Sequence, residues 1–232
     1  MRTFRRYAAA VIPFVPATFV GIGRLFATDD SGTRAALDLI ATNPDRQFIF
    51  VLLGYLGLVT VVPAFLAAAR MSRRRGPVLT TVALAVNLVA YLGSFAMPAI
   101  DNLYLISAQL PAGQRDVGAI IIDTMWSTGL AGVSAGLFVL GHLIGAILMA
   151  FALRGSIPAV GWIAMLLTPF AHVLAFVVLQ VPVLDMFAWL LMTVAFAFCA
   201  VRIIKTPNDE WDLPPLAEVG AHKVEREQPT RS

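Results

Sequence analysis

Charged residues are scarce in this chain, and that scarcity is the first constraint on its fold. Only 13% of the 232 residues are Asp, Glu, Lys or Arg, whereas a soluble globular domain carries about 25%. The single cysteine, Cys199, has no second cysteine in the chain with which to form an internal disulfide. The net charge of +3 comes from residues that flank apolar segments, which argues against nucleic-acid binding.

Several motifs of well-known enzymes and channels are also missing. The chain has no Walker A loop, no H-E-x-x-H zinc motif and no G-x-S-x-G nucleophile motif. No long apolar segment holds a lysine or a row of arginines, which excludes a retinal Schiff base and a voltage sensor. Few charges lie within the apolar segments, which argues against a transporter of strongly charged solutes. The sequence therefore leaves open whether the protein is an enzyme, and an enzyme is the less favoured alternative.

Long apolar segments are what the chain does have, since 59% of its residues are hydrophobic. An apolar helix of about 20 residues crosses the hydrocarbon layer with every backbone group satisfied within the segment. The alternating polarity of a membrane β-barrel is absent. We therefore predict an all-α polytopic membrane protein, with one transmembrane domain over residues 1–205. Its six predicted spans are 7–26, 48–69, 78–97, 130–153, 158–180 and 183–204.

Two connections between spans are long enough to fold on the outer surface. Residues 33–41 show near-helical apolar spacing, so we expect one or two short interfacial helices on the outer surface. In the connection 98–129, an i, i+3, i+4, i+8 pattern of Val117, Ile120, Ile121 and Met125 predicts an amphipathic interfacial helix. A break near 127–129 separates it from the fourth span. From residue 206 to residue 232 the composition is polar, which predicts a disordered cytoplasmic tail.

The distribution of basic residues predicts the orientation of the bundle. Ten Lys and Arg residues flank one side of the predicted spans, and four flank the other. The positive-inside rule then places both termini in the cytoplasm. High Ala, Val and Arg usage suggests a bacterial source, so we expect the bacterial inner membrane, with the lipid bilayer as the first partner.

The fourth predicted span carries two pairs of glycines at i, i+4 spacing, Gly132 with Gly136 and Gly141 with Gly145. Small residues let membrane helices approach closely. At 100° per residue the two pairs lie on roughly opposite faces. We favour packing inside the bundle, and a homo-oligomer or another membrane-protein partner is the alternative.

Two histidines within predicted spans are candidate cofactor ligands. His142 and His172 lie on adjacent helices, and such a pair can hold a haem iron or contribute to a metal site. At 1.5 Å per residue their depths differ by about 6 Å, which is not ideal for two axial ligands. No cofactor is expected on balance, and haem is the alternative. The competing interpretation is that each imidazole hydrogen-bonds across the bundle, to Thr168, Asn87 or a backbone carbonyl.

Asp185 is the third ionisable residue within a predicted span. Because it follows Pro182 closely, we expect it to be solvated in the outer headgroup region. The functional alternative is a proton or cation site that faces an outward vestibule with Asp101 and Asp123 nearby. Asn87 is a polar residue within the third predicted span and completes the candidate sites.

The segment from Leu137 to Phe176 combines a glycine-rich helix, a short basic turn and a proline that opens the next helix. Its marker residues are Gly141, Gly145, Arg154, Pro158 and Trp162. The segment resembles a family of uncharacterised six-span bacterial membrane proteins. That resemblance implies architecture and no activity.

Three classes of function follow, in order of preference. The first is an accessory or regulatory membrane component that acts through partners. The second is a haem-binding or redox protein that uses His142 and His172. The third is a small transporter or a lipid-modifying enzyme that uses Asp185.

Overall fold

The computed structural model describes residues 2–28, 32–73 and 75–212, and these residues form helices joined by short connections. The predicted tail lies mostly outside the described residues, although Asn208–Asp212 still form a short helix. The α-helices in the described ranges are α1 Arg2–Val11, α2 Val15–Gly23, α3 Thr33–Thr42, α4 Pro44–Ser72, α5 Pro77–Gly93, α6 Ala96–Ala108, α7 Arg115–Thr128, α8 Leu130–Leu153, α9 Ala159–Val173, α10 Asp185–Lys205 and α11 Asn208–Asp212.

Six helical segments in the described residues are long and apolar enough to cross a membrane, which confirms the all-α polytopic fold. Their bounds are Thr3–Phe26, Pro44–Ser72, Pro77–Ala108, Leu130–Leu153, Ala159–Val178 and Asp185–Lys205. Large apolar side chains lie exposed along the outside of the bundle, as lipid contact requires.

The third span was predicted to end at residue 97, and that prediction is wrong. After a turn at Ser94 and Phe95 the chain continues as α6 to Ala108. Proline is tolerated in the first turn of a helix, where its missing N–H has no intrahelical partner, so Pro98 does not end the span. The extension brings Asp101 into the bundle.

The ends of the helices form two faces. On the terminal face, Arg6 donates to the carbonyl of Thr206, and Arg70 donates to the carbonyl of Trp211. On the opposite face, α3 and α7 cover the helix ends, and we call this the capped face. Gln47 donates there to the carbonyl of Asp101.

The two helices of the capped face were both predicted. Helix α3 spans Thr33–Thr42 and α7 spans Arg115–Thr128, and Gly129 separates α7 from α8 as expected. The two helices and α6 share a small apolar core made of Leu37, Ile40, Leu105, Ala108, Ala119 and Ile122. The predicted apolar stripe of α7 stays exposed, so the opposite side of that helix packs on the protein.

The glycine pairs of α8 have different surroundings. A Cβ on Gly141 would lie 2.7 Å from the Cβ of Ala90, and one on Gly145 would lie 2.6 Å from Oδ1 of Asn87. This pair therefore lets α8 pack closely on α5, as favoured from the sequence. Gly136 has no atom within 4 Å of its Cβ position and does not take part in that packing.

Candidate functional site

Asp185, the first residue of α10, is completely buried. The prediction that it is solvated in the headgroup region is therefore wrong. It interacts with three side chains. Nε of Arg24 lies 2.8 Å from its Oδ2, the indole N–H of Trp189 donates to the same oxygen at 2.8 Å, and Nδ1 of His172 bonds Oδ1. These neighbours, two of them N–H donors, offset the cost of burying the carboxylate.

His172 takes a defined tautomer from this contact. An ionised carboxylate only accepts hydrogen bonds, so the Nδ1 of His172 carries the proton and donates it to Asp185. The Nε2 of the same ring is buried and has no hydrogen-bond partner among the described residues. A second proton can therefore be added at Nε2 without breaking the contact to Asp185.

His142 continues the polar row across the bundle. Its ring contacts the ring of His172 edge-on, with the centroids 4.7 Å apart and the planes tilted by 72°. Its Nδ1 lies 2.5 Å from the hydroxyl of Tyr91 on α5. Its Nε2 is also buried, and no described residue hydrogen-bonds it. Arg24, Asp185, His172, His142 and Tyr91 thus form a continuous row, which we call the buried relay.

Aromatic rings enclose the middle of the buried relay. His142 lies between two stacked rings, Phe138 at 5.4 Å and Trp189 at 5.3 Å between centroids. Trp189 also meets His172 edge-on at 5.2 Å. These contacts fix both imidazoles in place and keep the region around them apolar, which strengthens electrostatic interactions within the relay.

The residues as placed do not fit a haem held between the two histidines. The imidazole rings are in direct contact, so no macrocycle plane fits between them. Each Nδ1 already has a partner, and the space beside Gly141 and Gly145 is filled by α5. Among the described residues, no group of three or more His, Cys, Asp or Glu is placed to hold a metal ion.

Asn87 has a structural role next to the relay. Its Nδ2 donates to the carbonyls of Ala83 and Gly145, at 2.8 and 2.9 Å, and so joins α5 to α8. Neither Asn87 nor Thr168, whose hydroxyl bonds the carbonyl of Ala164 at 3.1 Å, is the hydrogen-bond partner of a histidine. The expected bonds across the bundle exist, but to Tyr91 and Asp185.

A π-helical turn follows His172 directly. Residues Leu174–Val178 continue α9 with π-helical bonding, and Pro169 lies one turn before them. Such turns occur often at functional sites because they alter the local register of a helix. The turn begins two residues after His172, at the end of α9 that faces Asp185.

Two adjacent cavities adjoin the relay. The inner cavity has a volume of about 140 Å³ and is lined by Arg24, Tyr91 and Trp189 together with apolar residues. The outer cavity, of about 200 Å³, lies below the capped face, where Ala36, Ile40 and Trp126 line it. Both cavities are lined by Arg24, Phe50 and Asp101.

Asp123 is not part of this arrangement. It is exposed on α7, where it accepts a hydrogen bond from the hydroxyl of Thr33 at 2.5 Å. Asp101, in contrast, is half-buried and lines both cavities. Of the candidates from the sequence, His142, His172 and Asp185 meet in the relay, Asp101 and Asn87 lie beside it, and Asp123 lies on the surface.

Sequence reasoning missed Arg24 and Tyr91. Arg24 was counted among the basic residues that flank the spans, yet its side chain is only 21% exposed and pairs with Asp185. The sequence held a signal for this ion pair. Arg24 lies at the end of the first predicted span and Asp185 at the start of the sixth, and both ends reach the same side of the membrane. Nothing near Tyr91 in the sequence indicates a role for its hydroxyl, because its hydrogen-bond partner, His142, lies on another helix.

Comparison with known proteins adds no identification. No protein-family model, no curated protein and no solved structure matches this chain. The resemblance to uncharacterised six-span membrane proteins therefore stays a prediction. The fold and the site define the class: a polytopic helical membrane protein with a buried ionisable relay beside two cavities.

Proposed function

We propose that the protein is a small proton-linked membrane transporter in which the buried relay binds and passes the proton. The observation that carries the proposal is the row of Arg24, Asp185, His172, His142 and Tyr91 beside a cavity, in which the two histidines meet by ring contact and the other neighbours by ion pair or hydrogen bond. Ionisable residues inside a bundle are costly, and chains of Asp and His within spans are typical of proton routes in pumps and transporters.

The chemistry of the relay supports reversible proton binding. A proton that reaches Nε2 of His172 creates an imidazolium beside the Asp185 carboxylate, an ion pair in an apolar surrounding. His142 is in ring contact with His172, and its Nε2 is the next acceptor in the tautomer whose Nδ1–H donates to the Tyr91 hydroxyl. Tyr91, a hydroxyl that can donate or accept, bonds His142 and lines the inner cavity.

The cavities supply the second requirement of a coupled transporter, a place for a solute beside the proton site. Arg24 and Tyr91, the two ends of the relay, both line the inner cavity. A solute there would lie next to any charge that the relay gains. The lipid-modifying alternative has less support, because Asp185 is fully buried and engaged by three side chains, which leaves it no access to a lipid headgroup.

The test is a pH jump on the purified full-length protein in liposomes adsorbed to a solid-supported membrane. This measurement records charge that moves within the protein after acidification. We expect a transient current that protein-free liposomes do not give, because protons enter the relay from water. Asp185→Asn, His172→Gln and His142→Gln should each abolish most of it.

Asp123→Asn is the matched control, since it removes a carboxylate that is exposed and outside the relay. It should leave the current unchanged. The glutamine variants guard against a folding defect in Asp185→Asn, because glutamine keeps a hydrogen-bonding side chain at each histidine position. A wild-type current equal to that of protein-free liposomes, or a full current in all three relay variants, would contradict the proposal.

We also propose that the terminal face is cytoplasmic, in a bacterial inner membrane, because the terminal face carries most of the basic residues. Gly76 and Gly113 lie in connections at opposite faces with no atom within 4 Å of their Cβ positions. A membrane-impermeant maleimide should label Gly113→Cys in intact cells and Gly76→Cys only after permeabilisation. The reverse labelling pattern would show that the capped face, not the terminal face, is cytoplasmic. Cys199 is buried and gives little background.

The other functions predicted from the sequence have less support. An accessory role was expected to use partners and the tail, but residues 213–232 lie outside the described residues and nothing among the others indicates a partner. A haem protein would need an imidazole arrangement different from the observed ring contact. Both stay predictions, and the proton-linked transporter is the function that the geometry supports best.

A further inference from the structure

We propose that the two adjacent cavities bind a small organic cation, with the Asp101 carboxylate as its counter-charge and aromatic rings as its walls. This cation would be the solute of the proposed proton-linked transporter, and only its transport rests on that proposed function. The binding site itself stands on the charges, the rings and the volumes of the cavities.

The balance of charge favours a cation. Arg24 lines both cavities, but its guanidinium already pairs with Asp185 at 2.8 Å. Asp101 also lines both cavities, and its carboxylate interacts electrostatically with Arg24, whose guanidinium forms its ion pair with Asp185. With both carboxylates ionised, these three side chains sum to one negative charge. A half-buried carboxylate that shares its one basic neighbour with a second carboxylate is costly to keep ionised, and a bound cation lowers that cost.

The walls suit a cation as well. Phe50 lines both cavities, Tyr91, Phe138 and Trp189 line the inner one, and Tyr104, Trp126 and Phe176 line the outer one. Aromatic faces attract cations, and quaternary ammonium groups are commonly recognised by aromatic cages. Two of these rings already face a cation, because the guanidinium carbon of Arg24 lies 5.8 Å from the Phe50 centroid and 5.4 Å from that of Phe176.

The volumes limit the size of the ligand. The inner cavity of about 140 Å³ is close to the engineered cavity of about 150 Å³ that holds one benzene molecule. A trimethylammonium or small alkylamine head is of this size. The outer cavity of about 200 Å³ leaves room for a short hydroxylated or apolar tail. Choline meets these limits and is a suitable probe.

The test is binding of radiolabelled choline to the purified full-length protein in detergent, with unlabelled competitors. We expect saturable binding that choline and tetramethylammonium displace. The uncharged carbon analogue of choline, in which tert-butyl replaces trimethylammonium, should compete far less. Asp101→Asn should weaken binding by about tenfold or more, as expected when a charged partner is lost. Asp123→Asn, which changes a carboxylate outside both cavities, should have no effect.

Three results would overturn the inference: no saturable choline binding, equal competition by the uncharged analogue, or unchanged binding in Asp101→Asn. The pH-jump current separates this inference from the proposed function. A normal current without choline binding would contradict only the proposed cation site. Choline binding without a current would contradict the proposed proton transport and leave the cation site standing.

Discussion

Asp185 is the most unusual buried residue of this bundle. A fully buried carboxylate inside a transmembrane domain is costly unless it is paired and hydrogen-bonded. Arg24 supplies the opposite charge, and Trp189 and His172 occupy the hydrogen-bonding positions. The same contacts that make the carboxylate tolerable also attach it to a histidine that can gain a proton.

Removing either charge of the Arg24–Asp185 pair should destabilise the protein, because the other charge is left without its partner. We expect Asp185→Asn and Arg24→Gln each to lower the free energy of unfolding by about 3 kcal/mol. The double variant should lose less than the sum of the two. Chemical denaturation in detergent micelles measures all three. Strict additivity would show that the two residues do not interact.

At this scale the sequence identifies exceptional residues but not their partners. His142, His172 and Asp185 could be recognised because they interrupt apolar segments, where polar side chains are expensive. That they meet depends on how α8, α9 and α10 are rotated about their axes, and a single sequence does not fix this rotation. Proximity to Pro182 favoured a solvated Asp185, but the ion pair with Arg24 and the bonds from its other neighbours outweigh solvation.

The contact between α5 and α8 is the element on which the relay depends, because α5 carries Tyr91 and α8 carries His142. Gly141 and Gly145 let the helices approach, and Asn87 joins them by a hydrogen bond to the Gly145 carbonyl. The polar network and the packing of small residues therefore occur at the same helix interface.

Adding a methyl group at this interface should separate the helices. In Gly145→Ala the new Cβ would lie 2.6 Å from Oδ1 and 2.8 Å from Nδ2 of Asn87. We expect a loss of about 2 kcal/mol, as in other overpacked sites, and a smaller pH-jump current. Gly136→Ala, on the same helix with open space around the Cβ position, is the matched control and should lose no stability. Equal effects of the two substitutions would argue against close packing at Gly145.

Most elements could be predicted from the sequence, since apolar length and helix-capping residues are local signals. In the structure, the start of α4 has such a cap, because Oδ1 of Asn43 accepts a hydrogen bond from the Arg46 amide at 3.2 Å. The extension of the third span through α6 was missed because Pro98 and Asp101 resemble the start of a loop. In the fold, Pro98 lies in the first turn of α6 and Asp101 borders cavities.

On the scale of the whole molecule, the relay lies between an apolar bundle and a small cap. The cap has its own core and is joined at the surface by ion pairs such as Arg34–Asp116 at 2.6 Å. Its helices line the outer cavity, and Arg24 and Asp101 line both that cavity and the inner one beside the relay. The number of spans could be predicted from composition. The arrangement of the relay could not be predicted in the same way. Its residues come from four helices, α5, α8, α9 and α10, and from the turn after α2.

The central claim is that a proton binds reversibly within the relay, and histidine nitrogen NMR tests it most directly. The chain has three histidines, so His222→Gln leaves signals from His142 and His172 alone. Between about pH 8 and about pH 5, we expect at least one ring to change from the neutral to the imidazolium pattern, and Asp185→Asn to alter that change. Two rings that keep the neutral pattern throughout, with or without Asp185, would contradict the account.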